Sequence, residues 1–292
     1  MKGFKIIVLA KQVPDTRNVG KDAMKEDGTM NRAALPAIFN PEDLNALEQA
    51  LRIKDKFPDS EITILTMGLP KSADIVREGL FRGADKGIVL TDRKLGGSDT
   101  LATSYAISQA IKRIKDYDIV LCGRQAIDGD TAQVGPQAAE KLNIPQVTYA
   151  EEITDISEKK ITIRRRLERG TEVVSCPFPL LVTVHGSAAP CRSRNAKFYM
   201  KYKFAKTPLE VTEETEETDK ELLAHKDYLN IKVWSAQDVE AEPERVGLAG
   251  SPTKVKTITM VELQAKESKK LSDSDADIDN LMKELASKHI LG

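Results

Sequence analysis

Short aliphatic runs recur through the first half of the chain at Lys5–Ala10, Glu61–Met67, Lys86–Leu90, Asp118–Cys122 and Gln146–Tyr149. They are rich in β-branched and aliphatic residues and carry few charges. Strands covered on both faces read this way. Between them lie stretches with helical spacing: Pro41–Phe57, Ser72–Arg82, Thr100–Lys115 and Thr131–Leu142. Leu44, Leu47, Ala50 and Leu51 stripe the first. Pro41 suits its opening turn, with Asn40 as the expected cap. Ile107, Ala110, Ile111 and Ile114 stripe the third, behind Ser98-Asp99-Thr100 as capping candidates. This alternation predicts an α/β fold: a doubly wound, mostly parallel sheet with helices on both faces. Ligands in that architecture bind beyond the carboxyl ends of the strands. The loops after Ala10, Met67 and Cys122 share that end and can converge on one pocket.

The pattern changes after about residue 150. Ile153–Arg166 and Val173–Cys176 read as an antiparallel pair around Glu168-Arg169-Gly170, and Pro179–Val184 as one more strand. Residues 186–196 show little periodicity. They run into Lys197-Phe198-Tyr199-Met200-Lys201-Tyr202-Lys203-Phe204. Basic residues among aromatics can bind nucleic acid. The chain as a whole has 45 acidic and 44 basic residues, a net charge of −1, which favours a face that docks on another protein. Glu210–Asp219 reads as a solvated acidic linker. Ile278, Leu281, Met282 and Leu285 outline a final amphipathic helix behind Ser272 and Asp273. The expected division is a nucleotide-binding domain at 1–206, then a linker and C-terminal arm at 207–292. The arm is too poor in apolar residues to build its own core. It packs either on a partner subunit or back on its own domain.

One segment points to chemistry. Gly123-Arg124-Gln125-Ala126-Ile127-Asp128-Gly129-Asp130-Thr131-Ala132-Gln133-Val134-Gly135-Pro136 follows an apolar strand and precedes a helix. A helix N-terminus exposes unpaired N–H groups and positive dipole, which suit a phosphate. Asp130 or Thr131 is the expected cap, and the glycines let backbone approach a ligand. The segment is neither GxGxxG nor a Walker loop, so an ordinary capped turn remains an open alternative. Cys122, Cys176 and Cys191, with His185, His225 and His289, fall in no metal-like spacing. The apolar start, Met1–Ala10, is short and reads as a first strand instead of a signal peptide. No segment is long and apolar enough for a bilayer. A cytoplasmic protein is expected, without membrane insertion or nucleic-acid binding.

An ordered set of segments resembles one family. They are Lys11-Gln12-Val13-Pro14-Asp15-Thr16, Phe39-Asn40-Pro41-Glu42-Asp43, Leu65-Thr66-Met67-Gly68, Gly83-Ala84-Asp85, Gly97-Ser98-Asp99-Thr100-Leu101-Ala102-Thr103 and the Gly123 segment. Together they are similar to the beta subunit of electron-transfer flavoproteins, a family that includes the Fix-type subunits, over roughly residues 4–185. The resemblance implies an adenine-nucleotide hydrolase-like fold and a heterodimer with a larger, flavin-carrying alpha subunit. It also implies exchange with an acyl-CoA or related flavin dehydrogenase. In the housekeeping branch the beta subunit holds structural AMP. In the bifurcating branch the same pocket holds FAD, which takes hydride from NADH and passes single electrons to the alpha-subunit flavin and to ferredoxin or flavodoxin. The Asp128-Gly129-Asp130-Thr131 run, with Val13-Pro14-Asp15-Thr16 and Gly97-Ser98-Asp99-Thr100, resembles the second branch.

Carried over residue by residue, the resemblance places the Leu9 backbone against the adenine and Asn40 and Asp43 near the adenosine. Met67 and Gly68 line the floor. Gly123, Ala126 and Asp128 wrap the adenosine, and Thr131, Gln133 and Val134 reach the phosphates. Asp99, Thr100 and Thr103 reach the flavin-bearing half. The sequence departs from the family at residues 186–204, where the family docks its dehydrogenase. A scaffold that only holds AMP is the alternative within the family. A nucleotide-binding sensor of the adenine-nucleotide hydrolase-like superfamily is the alternative outside it.

Overall fold

Strand β1 (Lys5–Leu9) lies at the centre of a nine-stranded sheet, hydrogen-bonded in parallel to β4 (Glu61–Met67) on one side and β6 (Ile119–Gly123) on the other. The structure is a computed structural model that describes residues 3–15, 36–253, 268 and 270–291. Beyond β4 come β5 (Lys86–Leu90) and β11 (Lys232–Trp234); beyond β6 come β10 (Leu180–Val184) and β7 (Gln146–Ile156), all parallel. Two antiparallel strands, β8 (Lys160–Leu167) and β9 (Gly170–Pro177), extend the sheet past β7. A separate two-stranded sheet pairs β2 (Gln12–Pro14) with β3 (Ala37–Phe39). The chain winds outward from β1 through β4 to β5, then returns to β6 on the other flank. That reversal opens a crevice at the carboxyl ends of β1 and β6, where doubly wound sheets take their ligands.

The helices follow the apolar stripes. Helices α1 (Pro41–Lys56) and α2 (Ala73–Arg82) cover one face of the sheet, and α3 (Thr100–Ile114) and α4 (Val134–Leu142) the other. Alternation along β1 splits its side chains between two cores: Ile6 and Val8 pack with Leu47 and Ile64, and Ile7 and Leu9 with Tyr105 and Ile111. Each such fully buried aliphatic side chain contributes about 1.5–3 kcal/mol. Short helices α5 (Ala196–Tyr202) and α6 (Glu217–His225) follow, and α7 (Asp275–Ser287) closes the chain. No helix among the described residues is long and apolar enough to cross a membrane.

Several expectations need correction. Helix α4 begins at Val134, not Thr131. Asp130 and Ala132 hold φ of 50° and 53°, left-handed values that no α-helix accommodates. Asn40 precedes α1 but its side chain makes no capping bond; Asp99 does cap α3, accepting from the N–H of Ala102 at 3.0 Å. The run Ile153–Arg166 is interrupted by a turn in which the Ser157 N–H donates to the Lys160 carbonyl at 2.9 Å, so it supplies parts of two strands, not one. The β8–β9 turn falls at Glu168-Arg169 as anticipated. Thr16 lies outside the described residues.

The chain divides into compact units Met1–Lys254 and Val255–Gly292. Residues 207–254, expected to leave with the arm, therefore belong to the first unit. Their apolar residues are too scattered to show a period, yet Leu229, Ile231, Ala236, Val239 and Val246 are buried in the two cores. Within the expected linker, Glu210 pairs with Arg77 at 2.8 Å, and Asp219 with Lys206 at 2.7 Å. In the second unit, α7 buries none of its side chains.

Candidate functional site

The first turn of α1 organises the crevice. Asn40, Glu42 and Asp43 are buried and point their polar atoms at the loops that follow β1 and β6. Asp43 accepts from the Lys11 N–H at 2.9 Å and from the Gly123 N–H at 2.8 Å, tying the two loops across the switch point. Burial, working against those two bonds, pushes the Asp43 carboxyl up to about 7. Glu42 pairs with the Arg124 guanidinium at 2.9 Å and accepts from the Gln125 N–H at 3.0 Å. Asn40 donates to the Gln125 carbonyl at 2.9 Å and accepts from the Ile127 N–H at 3.2 Å. Residues 123–127 are thus held by three of the four residues Asn40–Asp43, all but Pro41. Proline gives up no hydrogen bond there, because the first helical N–H has no partner inside the helix.

Gly123 serves this clamp. A Cβ on it would stand 2.6 Å from the Asp43 carboxylate and 2.8 Å from its backbone nitrogen. The close approach it permits is to the first turn of α1. Asn40 and Asp43 likewise have their side chains engaged by protein loops. Glu42 was not singled out from sequence, although an acidic first turn after Asn-Pro was the available signal.

The outer half of the loop is built differently. Asp128 pairs with Lys11 at 2.7 Å, and the Ala126 carbonyl accepts from the Asp130 N–H at 2.9 Å. A Cβ at Gly129 would meet nothing within 4 Å. Thr131 and Gln133 are exposed. The N–H groups of Thr131, Ala132, Gln133 and Val134 have no acceptor among the described residues. Two left-handed residues, Asp130 and Ala132, turn this stretch so that donors accumulate just before α4. Left-handed turns preceding a helix are a common way to gather amide donors for an anion.

Leu9 is buried in the apolar core between the sheet, α3 and α4, and Met67 and Val134 pack against the same core. Gly68 continues β4, donating to the Leu90 carbonyl at 3.1 Å. Across the crevice, Thr100 donates to the Gln133 side-chain carbonyl at 2.8 Å, linking the starts of α3 and α4. Thr103, half-buried, lies one turn along. Asp99 is committed to protein donors: one carboxylate oxygen caps Ala102, and the other accepts from the Thr253 N–H at 3.1 Å and hydroxyl at 2.7 Å. Burial pushes its carboxyl up, but these bonds outweigh it and hold the group below the usual carboxylate range. Two clefts, of about 280 and 340 Å³, lie elsewhere, between α3, Lys141 and residues 242–252; neither includes a residue of this set.

Residues 27–213 match the electron transfer flavoprotein domain. The chain is 42% identical over 297 residues to the electron transfer flavoprotein subunit beta of Megasphaera elsdenii, spanning 99% of this chain and 100% of that one. The chain belongs to the electron transfer flavoprotein beta-subunit family. It is also 42% identical over 252 residues to the caffeyl-CoA reductase-Etf complex subunit CarD of Acetobacterium woodii, covering 86% of each chain. Identity to protein FixA of Azotobacter vinelandii is 35% over 288 residues, 97% of this chain and 93% of that one. Electron transfer, association with a flavin or nucleotide, and a partner alpha subunit come with membership of this family.

Proposed function

We propose that this beta subunit holds FAD at the β1–β6 crevice and belongs to a bifurcating electron transfer flavoprotein that works with an acyl-CoA or related flavin dehydrogenase in the cytoplasm. The observation that carries this reading is the run of unpaired amide donors at Thr131–Val134, just before α4 and beside the crevice at the carboxyl ends of β1 and β6. That donor set fits a diphosphate next to an adenine. Similarity to the CarD and FixA proteins supports the bifurcating branch over the housekeeping one.

In this reading the amides of residues 131–134 and the Thr131 hydroxyl hold the diphosphate. The Leu9 backbone lies against the adenine, over a floor of Met67 and Gly68. Asn40, Glu42 and Asp43 keep the 123–127 loop in register without touching the nucleotide. Asp128 holds the Lys11 ammonium at 2.7 Å. Thr100 and Thr103 face the part of the cofactor beyond the phosphates. The chemistry that FAD supplies when bound is acceptance of a hydride from NADH and release of its electrons singly, towards the alpha-subunit flavin and towards ferredoxin or flavodoxin. Residues 255–292 are proposed to pack on the alpha subunit through the apolar side of α7, where Ile278 and Met282 stand half exposed.

The test is extraction and identification of nucleotides from the purified alpha–beta complex. Two flavins per heterodimer are expected. One flavin with AMP overturns the bifurcating reading, and ATP without flavin at this site overturns the family function. Thr131→Val removes a hydroxyl donor and is expected to lower nucleotide affinity about three- to tenfold. Unchanged affinity in that variant would remove Thr131 from the phosphate contact.

A further inference from the structure

The last stretch of the first compact unit is stitched to the start of α3. Ser251 is buried, 5% exposed; its hydroxyl accepts from the Asp99 N–H at 2.8 Å and donates to the Gly247 carbonyl at 2.6 Å. Thr253 gives both its N–H and its hydroxyl to one Asp99 carboxylate oxygen, at 3.1 and 2.7 Å. The Gly247 N–H donates to the Ser98 hydroxyl at 3.0 Å. Leu248 lies against Gly97: a Cβ there would stand 2.6 Å from a Leu248 methyl carbon, and φ at Gly97 is 74°. Every residue from Gly97 to Asp99 is therefore gripped by residues 247–253.

Those contacts lead into the crevice. Asp99 fixes the first turn of α3 through Ala102, Thr100 bonds Gln133 at 2.8 Å, and Gln133 immediately precedes α4. Hydrogen bonds from Thr253 to Asp99 and from Thr100 to Gln133, joined by the Asp99–Thr100 peptide bond, connect the 247–253 segment to the amide-rich loop. Asp99 has one carboxylate oxygen for the helix and the other for Thr253. Its orientation is thus set jointly by α3 and the 247–253 segment.

We propose that Ser251 and Thr253 are positioning residues for the flavin-bearing half of the cofactor. They hold Asp99, and through it Thr100 and Thr103, in the geometry that receives FAD beyond its phosphates. This inference rests on the FAD reading above. Removing the Thr253 hydroxyl leaves Asp99 short of a donor and lets the first turn of α3 rotate away from Gln133. The adenosine contacts at β1, β4 and residues 123–134 stay in place. The loss therefore falls on a ligand that reaches α3 and spares one that stops at the first phosphate.

The experiment uses the intact alpha–beta complex, stripped of its nucleotide and titrated separately with FAD and with AMP. Thr253→Val and Ser251→Ala are expected to weaken FAD binding about five- to tenfold, the scale of one lost hydrogen bond, and to change AMP binding less than about twofold. Thr253→Ser, which keeps the hydroxyl, is expected to restore FAD affinity. FAD affinity equal to wild type in both variants overturns the proposal. So does a parallel loss of FAD and AMP that tracks a fall in unfolding temperature, since that marks a merely structural contact. If the wild-type complex takes AMP but not FAD, the FAD reading fails and this inference with it. Wild-type FAD binding with indifferent variants overturns only the inference.

Discussion

Asp43 is the residue on which the crevice turns. It is a buried carboxylate with backbone donors from two loops and no cation bonded to it among the described residues. Burial outweighs those donors, so its folded pKa of about 7 stands above the usual 3.8. The unfolded chain then releases this proton first. The stability contributed by protonated Asp43 is complete below 3.8 and is lost as pH rises through about 7. Asp43→Asn does not titrate, so its unfolding free energy is expected to lack that decline between mildly acidic and neutral pH. An amide can accept at only one of its two ends. The variant therefore leaves one backbone N–H without its acceptor and is expected to be about 2 kcal/mol less stable at neutral pH. Urea titrations of both proteins across this pH range check the slope and the offset together. Asn40 teaches a related lesson. A cap was the natural reading of Asn before Pro, but its side chain turns outward to the 123–127 loop, whose own groups are not neighbours in sequence.

Helices and strands end where backbone conformation forces them to. Helix α2 stops at Gly83, whose φ of 125° is open to glycine and strained for any other residue. A Cβ there would also stand 3.0 Å from Leu51 and 3.3 Å from Phe198. Asp85, two residues on, accepts from the Ile62 N–H at 2.9 Å and pairs with Lys54 at 2.5 Å. Gly83-Ala84-Asp85, legible in sequence only as part of a family pattern, is thus the device that turns α2 into β5. Gly83→Ala is expected to destabilise the protein by about 2 kcal/mol, combining left-handed strain with the close contacts. Thermal unfolding of the variant beside Gly129→Ala makes the contrast. A Cβ at Gly129 meets open space, so that variant is expected to unfold near the wild-type temperature. The start of α4 could not be placed from its residues. Asp130 and Ala132 are compatible with a helix by type, and only their left-handed φ values excluded them.

For the whole molecule, the question is where the domain ends. Strand β11 pairs with β5 across Lys232–Trp234 and Ile88–Leu90, and the residues around it fill both cores. Truncation after residue 206 strips Leu229 and Ile231 from one core and Val239 and Val246 from the other. It also leaves β5 as a bare edge, which invites aggregation. That fragment is expected to be insoluble. A chain ending at Lys254 keeps the whole first unit and is expected to unfold cooperatively, within a few degrees of the full-length chain. Expression yield and thermal unfolding of the two fragments decide between this boundary and one near residue 206.

Local pattern was sufficient for β1, β4 and β5, for α1 to α3, and for the side of the sheet on which a ligand belongs. Burial on both faces imposes continuous aliphatic runs, and helix faces impose a 3.6-residue period; both are written into neighbouring residues. The ordered motifs likewise carried family membership. Folding alone decided what those motif residues touch. Gly123 faces α1, Asp99 faces Thr253, and Asn40, Glu42 and Asp43 bond to loops more than 30 residues away or, for Gly123 and its followers, about 80 away. A polar side chain's partner is chosen by which loops the sheet order brings together. No periodicity within a segment encodes that choice, because the hydrogen-bonding capacity of a carboxylate or an amide is the same whichever donor arrives.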